Sequence, residues 1–117
     1  MKYPDFLRHI VNPKLAKYTR ERRNLGNHVD EIRKFIAEAE NKYQFSIFNG
    51  DPEKLADYLL SEDFTLLVKL FKSAGSLDVL EEILLETREK YSDLPRISKT
   101  IDKVLKKIRE QEKAKES

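Results

Sequence analysis

Hydrophobic residues recur every three or four positions over most of this chain, which is the spacing of one face of an α-helix. Stripes of this kind at residues 29–39, 64–71 and 80–87 predict amphipathic helices. The clearest stripe belongs to the last predicted helix, which begins near Arg96 and keeps its aliphatic residues within about 100° of arc. They are Ile97, Ile101, Val104, Leu105 and Ile108. The pattern predicts an all-α fold.

Capping and helix-breaking residues divide the chain into short helices. After a first short helix near Phe6, Asn12-Pro13 predicts the cap and first position of a second helix, expected to run to about Asn24. Gly26-Asn27 is expected to end it and to cap a third helix that continues through Tyr43. That third helix is expected to reach toward Phe48, with a short strand over Tyr43, Phe45 and Ile47 as the alternative. The remaining boundaries are predicted at Asn49–Pro52, at Ser61 as a kink, at Gly75-Ser76 and at Ser92–Pro95.

These elements predict a single compact bundle of five to seven short helices over residues 1–110, followed by a frayed charged tail over residues 111–117. The chain of 117 residues has no cysteine, which excludes disulfides, thiolate zinc sites and cysteine nucleophiles. With only two histidines, we expect no metal site. No apolar run is long enough for a membrane span or a signal peptide, so we expect a cytoplasmic protein without a membrane partner. The sparse glycine and the abundance of lysine and glutamate are typical of a helical domain from a thermophile.

The formal net charge of +2 hides an uneven distribution along the chain. Residues 1–28 carry a net +5, residues 29–42 a net −1, residues 43–98 a net −5 and residues 99–117 a net +3. Basic ends around an acidic middle indicate a polyanion partner at the basic parts. On the last helix, however, the cations lie opposite the apolar stripe, as is typical of a solvated face. They are Lys99, Lys103, Lys106, Lys107, Arg109 and Lys113.

The second predicted helix would align several cations. Lys17, Arg20 and Arg23 fall within about 120° of arc if one helix contains all three. Such a row can follow a phosphate backbone, with Tyr18 as a stacking surface. The alternative is a solvated helix whose arginines pair with neighbouring carboxylates. The residues expected to bind nucleic acid are Lys14, Lys17, Tyr18, Arg20, Arg22, Arg23, Arg33 and Lys34.

A nucleotide site is predicted where the second and third helices meet. Free backbone N–H groups at the start of a helix favour an anion, and flanking cations can clamp a phosphate or triphosphate. The alternative is a plain connection between helices capped by Asn27. The residues expected around a nucleotide are Arg22, Arg23, Asn27, His28 and Tyr43.

The same stretch, Arg23-Asn24-Leu25-Gly26-Asn27-His28, resembles the motif of HEPN ribonucleases. That resemblance implies metal-independent RNA cleavage, with the arginine and histidine of two protomers around the scissile phosphate. Elsewhere the chain has no Ser-His-Asp arrangement, glycine-rich phosphate loop or carboxylate–histidine cluster. We therefore predict a non-catalytic protein and keep the ribonuclease as an alternative.

By its length, its all-helical plan and its basic N-terminal third, the chain resembles the helix-bundle accessory domain of archaeo-eukaryotic primases from crenarchaeal plasmids. The abrupt start at Lys2-Tyr3-Pro4 and the charged, linker-like end favour an excised domain. The resemblance implies binding of single-stranded template DNA and of ATP or another nucleoside triphosphate at the start of primer synthesis. It also implies a catalytic prim-pol domain in the same parent chain, with no metal held by the bundle itself.

Two further readings of the chain stay open. The segments Ile32-Arg33-Lys34-Phe35 and Leu67–Gly75 resemble the small helical subunit of type III CRISPR effector complexes. That family implies binding of a guide–target RNA backbone without catalysis. The last alternative is a protein-interaction bundle with no nucleic-acid role.

Overall fold

The computed structural model describes residues 3–46 and 50–116, and their backbone forms helices joined by short turns. A π-helical turn, Phe6–Val11, precedes α1, and a 3-10 turn, Pro52–Lys54, leads into α3. No strand occurs in these two ranges, so the all-α prediction is confirmed. The six α-helices are α1 (Asn12–Thr19), α2 (Arg23–Tyr43), α3 (Leu55–Leu59), α4 (Glu62–Ser73), α5 (Leu77–Lys90) and α6 (Pro95–Glu116). The predicted division of the chain near residue 110 stays a prediction.

The apolar stripes meet in one core. All five aliphatic residues of the α6 stripe are buried, as predicted. α2 packs against α1, α3 and α4, while α6 packs against α3 and α5. Fully burying one leucine or isoleucine side chain contributes about 1.5–3 kcal/mol, so these stripes supply most of the driving force for folding. The largest of the fully buried aliphatic side chains include Leu15, Leu25, Ile32, Ile36, Leu67 and Ile83.

An aromatic cluster joins the N-terminal turn to the middle of the chain. α2 ends at Tyr43 because Gln44 adopts a left-handed conformation with φ of 56°, which turns the chain and places Phe45 in the core. The Phe45 ring lies 6.1 Å from that of Phe6 and 5.3 Å from that of Tyr58. The predicted extension of this helix past residue 43 is therefore wrong at Gln44. The rest of that prediction, with the strand alternative at Ile47, lies outside the described residues.

The boundary between α1 and α2 also differs from the prediction. α1 ends at Thr19 rather than near Asn24, because residues 20–21 form a turn and Arg22 is extended, with φ of −124° and ψ of 100°. A new helix then begins at Arg23, and Gly26 and Asn27 lie inside it. Lys17, Arg20 and Arg23 therefore do not share one helix.

The predicted boundaries at Pro52, Gly75 and Ser92–Pro95 agree with the structure, whereas Ser61 and Asn12 have other roles than predicted. Asp51 caps the 3-10 turn that begins at Pro52, and Gly75, with φ of 65°, separates α4 from α5. Ser61 marks a break between two helices rather than a kink, since its Oγ accepts a hydrogen bond from the N–H of Phe64 at 3.2 Å and caps α4. Asn12 is not an N-cap, because the π-helical turn runs directly into α1.

Candidate nucleic-acid interface

Arg22 and Tyr18, two of the predicted binding residues, join α1 to α5. The Nη1 and Nη2 atoms of Arg22 donate to the two carboxylate oxygens of Asp78 at 2.7 and 2.8 Å. The same guanidinium lies 4.9 Å from the centre of the Tyr18 ring. The carboxylate of Glu82 near the Tyr18 hydroxyl raises the pKa of that tyrosine. These hydrogen bonds from Arg22 hold the pKa of Asp78 below its ordinary value. The charge of Arg22 is thus neutralised within the protein, and the face of Tyr18 already has a cation on it.

Four other cations lie on α1 or beside the turn between α1 and α2. Lys14, Lys17, Arg20 and Arg23 form no ion pair with any carboxylate in the described part of the chain. Lys14 and Lys17 on α1, and Arg20 directly after it, span about 120° of arc on the side away from buried Leu15. Arg23 follows the turn directly and is exposed. We call these four residues the N-terminal basic surface.

Arg33 and Lys34 lie apart from that surface. The Nε of Arg33 donates to the Oδ1 of Asn12 at 3.1 Å, which fastens the middle of α2 to the start of α1. Lys34 is exposed but lies about 16 Å along α2 from Arg23. Asp30 and Glu31 project from the helix between these two cations, so the exposed side of α2 alternates in sign. The eight predicted binding residues therefore do not form one surface.

The predicted nucleotide residues do not converge either. Arg23, Asn27 and His28 lie in the first two turns of α2, whereas Tyr43 is its last residue, about 24 Å from Asn27 along the axis. The Tyr43 hydroxyl donates to Asp63 at 2.8 Å. Since one continuous helix separates them, Tyr43 is not part of a site at the start of α2.

His28 has a defined ring orientation. Its Nδ1 lies 2.8 Å from the backbone carbonyl oxygen of Asn24. A carbonyl oxygen only accepts, so Nδ1 carries the proton and Nε2 has the free lone pair in the neutral ring. Arg23 and His28 are five residues apart on the helix, which separates their directions by about 140°. One chain therefore does not aim both side chains at a single phosphate.

A second basic surface lies on α6, and α5 separates it from the first. Arg96, at the start of α6, pairs with Asp57, and Asp102 is bound by Arg88 at 3.1 Å. The five exposed cations that follow Arg96 on α6 form no ion pair among the residues with described side chains. α5 packs against both α1 and α6, and five of its fourteen residues are acidic. The two basic ends of the sequence therefore form two separate surfaces. The exposed cations of the second are Lys99, Lys103, Lys106, Lys107 and Arg109.

A pair of carboxyl groups, one buried and one half-buried, was not predicted from the sequence. Asp5 is 2% exposed and caps the N-terminal turn by accepting from the N–H of Arg8 at 3.1 Å. Its carboxyl lies near that of Glu40, 35 positions away on α2. Burial, followed by the charge of Asp5, raises the pKa of Glu40 to about 7. No local pattern signals such a pair, because its members meet only when α2 packs on the N-terminal turn.

The described residues contain no group of three or more histidine, aspartate or glutamate side chains placed to hold a metal ion. None of their helices combines the length and hydropathy needed to cross a bilayer. Comparison with protein-family models, with curated proteins and with solved structures finds no match to this chain.

Proposed function

We propose that this chain is a non-catalytic nucleic-acid-binding bundle whose N-terminal basic surface contacts the phosphate backbone. The observation that supports the proposal is the absence of carboxylate partners around Lys14, Lys17, Arg20 and Arg23 within the described ranges. Unpaired surface cations release counterions from a nucleic acid at little cost, since no internal ion pair has to be broken first.

The contacts are expected to be electrostatic rather than base-specific. Tyr18 and Tyr43, the two aromatic side chains predicted to stack on bases, both have partners within the protein. The guanidinium of Arg22 lies over the Tyr18 ring, and the Tyr43 hydroxyl donates to Asp63. Stacking a base on Tyr18 would displace the guanidinium of Arg22 from the ring. We therefore expect weak sequence preference and strong salt dependence.

The resemblance to primase accessory domains gives this surface more specific ligands. Single-stranded template DNA would bind the N-terminal basic surface, and a nucleoside triphosphate such as ATP would bind at the start of α2. Arg23 and Asn27, four positions apart on one face of α2, are the residues for the triphosphate, and the first turn of α2 has no acidic residue to repel it. The catalytic prim-pol domain of the same parent chain would be the protein partner.

The test is a fluorescence-anisotropy titration with a labelled twelve-residue oligothymidine at low and at physiological salt. We expect binding that weakens steeply with salt, and a loss of about tenfold in the variant Lys17→Gln/Arg20→Gln. The matched control is Lys69→Gln/Lys72→Gln, which removes the same charge from exposed positions of α4. The control is expected to bind within about twofold of the parent protein.

The absence of binding at low salt, or an equal loss in the two double variants, would contradict the proposal. Unlabelled RNA of the same length and ATP are added as competitors. They test whether the protein prefers DNA to RNA and whether it binds a nucleoside triphosphate. Displacement by RNA alone would favour the RNA-backbone subunit that the segments around Arg33 and Leu67 resemble.

The orientation of His28 favours one second candidate, a metal-independent ribonuclease. The free Nε2 of His28 is available as a general base in the neutral ring, while Arg23 of another protomer would hold the phosphate. Cleavage of a labelled RNA in the presence of EDTA that disappears in His28→Ala, but not in the neighbouring Asn27→Ala, would establish this activity. If the parent protein leaves the RNA intact with and without EDTA, the ribonuclease candidate is excluded and backbone binding stays the proposed function.

A further inference from the structure

An open apolar groove lies between α6 and the junction of α3 with α4. Its volume is about 90 Å³. Leu60, at the end of α3, leaves 56% of its surface exposed, the largest exposed fraction among the big apolar side chains described. The apolar lining comes from Leu59, Leu60, Phe64, Val68, Val104 and Ile108. We call this feature the α4–α6 groove.

The rim of the groove is cationic on one side and uncharged on the other. Lys103 and Lys107 border it on α6, and Ser61 and Thr65 border it on the opposite side. No carboxylate is among its described lining residues, and neither lysine has an ion-pair partner in the described part of the chain. The two lysines are four positions apart, which places them about 6 Å apart along α6.

From this combination we propose that the α4–α6 groove docks an acidic amphipathic helix of a partner protein. One apolar side chain of the partner enters the groove beside Leu60. Carboxylates spaced four residues apart on the partner helix then match the spacing of Lys103 and Lys107. The small volume fits a single anchoring side chain, which is how a few residues carry most of the energy in such contacts.

A nucleic acid is the poorer occupant of this groove. Its phosphates would suit the two lysines, but it has no aliphatic side chain to fill the space against Leu60, Val68 and Ile108. The groove is also independent of the N-terminal basic surface, because α5 lies between α1 and α6. The inference therefore stands whether or not the proposed backbone binding is correct.

The test uses a fluorescein-labelled synthetic peptide of fourteen residues, with leucine at helical spacing and glutamate elsewhere. We expect a Kd of about 10 μM, in the range of short helical ligands with one anchor. The variant Lys103→Glu/Lys107→Glu should weaken binding about tenfold. The matched control, Lys99→Glu/Lys106→Glu, makes the same charge change on the same helix away from the groove and should change affinity less than about threefold.

A separate variant tests the apolar contact between the partner helix and Leu60. Leu60→Ser alters an exposed side chain, so the fold is expected to persist, and it should weaken the peptide about fivefold. In methyl NMR spectra of the parent protein, the peptide should shift the signals of Val68, Val104 and Ile108. Lys17→Gln/Arg20→Gln should leave the peptide affinity unchanged, which separates failure of this inference from failure of the proposed function.

Three outcomes would overturn the inference. Equal losses in the two lysine pairs would show general charge attraction without a docking site. Oligothymidine that shifts the same methyl signals and displaces the peptide would assign the groove to nucleic acid. Self-association in sedimentation that disappears in Lys103→Glu/Lys107→Glu would assign it to a second copy of this chain.

Discussion

Glu40 and Asp5 place two carboxyl groups where solvent screens them poorly. Asp5 is almost fully buried, and the Oε1 of Glu40 is buried without a hydrogen-bond partner. Two neighbouring carboxylates do not both ionise at low cost, so one proton is retained on the pair. At the single-residue scale, this pair makes the attachment of the N-terminal turn to α2 sensitive to pH.

The pH dependence follows from the raised pKa of Glu40. The folded protein holds this proton up to about pH 7, whereas the unfolded chain releases it near pH 4.5. The stabilising contribution is therefore complete below about pH 4.5 and is lost as the pH rises through about 7. Because Glu40 is only half-buried, solvent reduces the effect to about 1 kcal/mol.

Glu40→Gln should remove this dependence, because the amide donates to Asp5 at every pH. Between pH 5 and pH 8 the free energy of unfolding in urea should decrease in both proteins. We expect the decrease to be smaller in the variant by about 1 kcal/mol. Glu38→Gln, an exposed neighbour on α2, is the control and should keep the parent dependence. If Glu40→Gln and Glu38→Gln give the same pH profile, the carboxyl pair does not titrate as described.

At the scale of helices, the spacing of apolar residues predicted the elements better than single helix-breaking residues did. The stripes of α4, α5 and α6 are buried as the sequence predicts, because burying a whole face outweighs local preferences. Gly26 is the instructive exception. Its backbone N–H donates to the carbonyl of Arg22, the residue that precedes α2, at 3.0 Å, and its neighbour Leu25 is fully buried. The cost of one glycine in a helix, about 1 kcal/mol, is small beside the burial of Leu25.

Replacing Gly26 tests the corrected boundary. A Cβ at this position would lie 3.7 Å from the carbonyl oxygen of Thr19, an ordinary contact, so Gly26→Ala should stabilise the protein by about 0.5–1 kcal/mol. Gly75→Ala is the contrasting variant. Its φ of 65° is left-handed, and alanine there should destabilise by about 1 kcal/mol. The measurement is thermal or urea unfolding of the two variants. Destabilisation by Gly26→Ala would place a break where the structure has a continuous helix.

The candidate site was predictable only where it depends on local spacing. The exposure of Lys17 and Arg20 follows from their position opposite Leu15, since Arg20 directly follows α1 and keeps helical backbone angles. The removal of Arg22 from the site does not, since Asp78 lies 56 positions away and pairs with it only after α5 packs on α1. Contacts of this range depend on tertiary packing, which no short window of sequence contains.

For the molecule as a whole, we expect nucleic-acid affinity to depend more on where the charges lie than on the net charge. α5 carries five acidic residues between the two basic surfaces, so a strand bound to one surface does not run directly onto the other. The Debye length at physiological salt is about 8 Å, which keeps the two surfaces electrostatically separate. Net charge should therefore be a poor predictor of nucleic-acid affinity in this protein.

The salt dependence of oligothymidine binding shows whether affinity depends on where the charges lie or on the net charge of the protein. With four phosphate contacts on a single strand, the slope of log affinity against log salt should be about −3, and Lys17→Gln/Arg20→Gln should reduce its magnitude by about 1.4. Lys99→Glu/Lys106→Glu moves the formal net charge from +2 to −2, twice the change in charge of the N-terminal variant. It should nevertheless keep the parent slope, because its substitutions lie beyond α5 from the bound strand. A slope that tracks net charge across the two variants would instead mean that the strand contacts both basic surfaces.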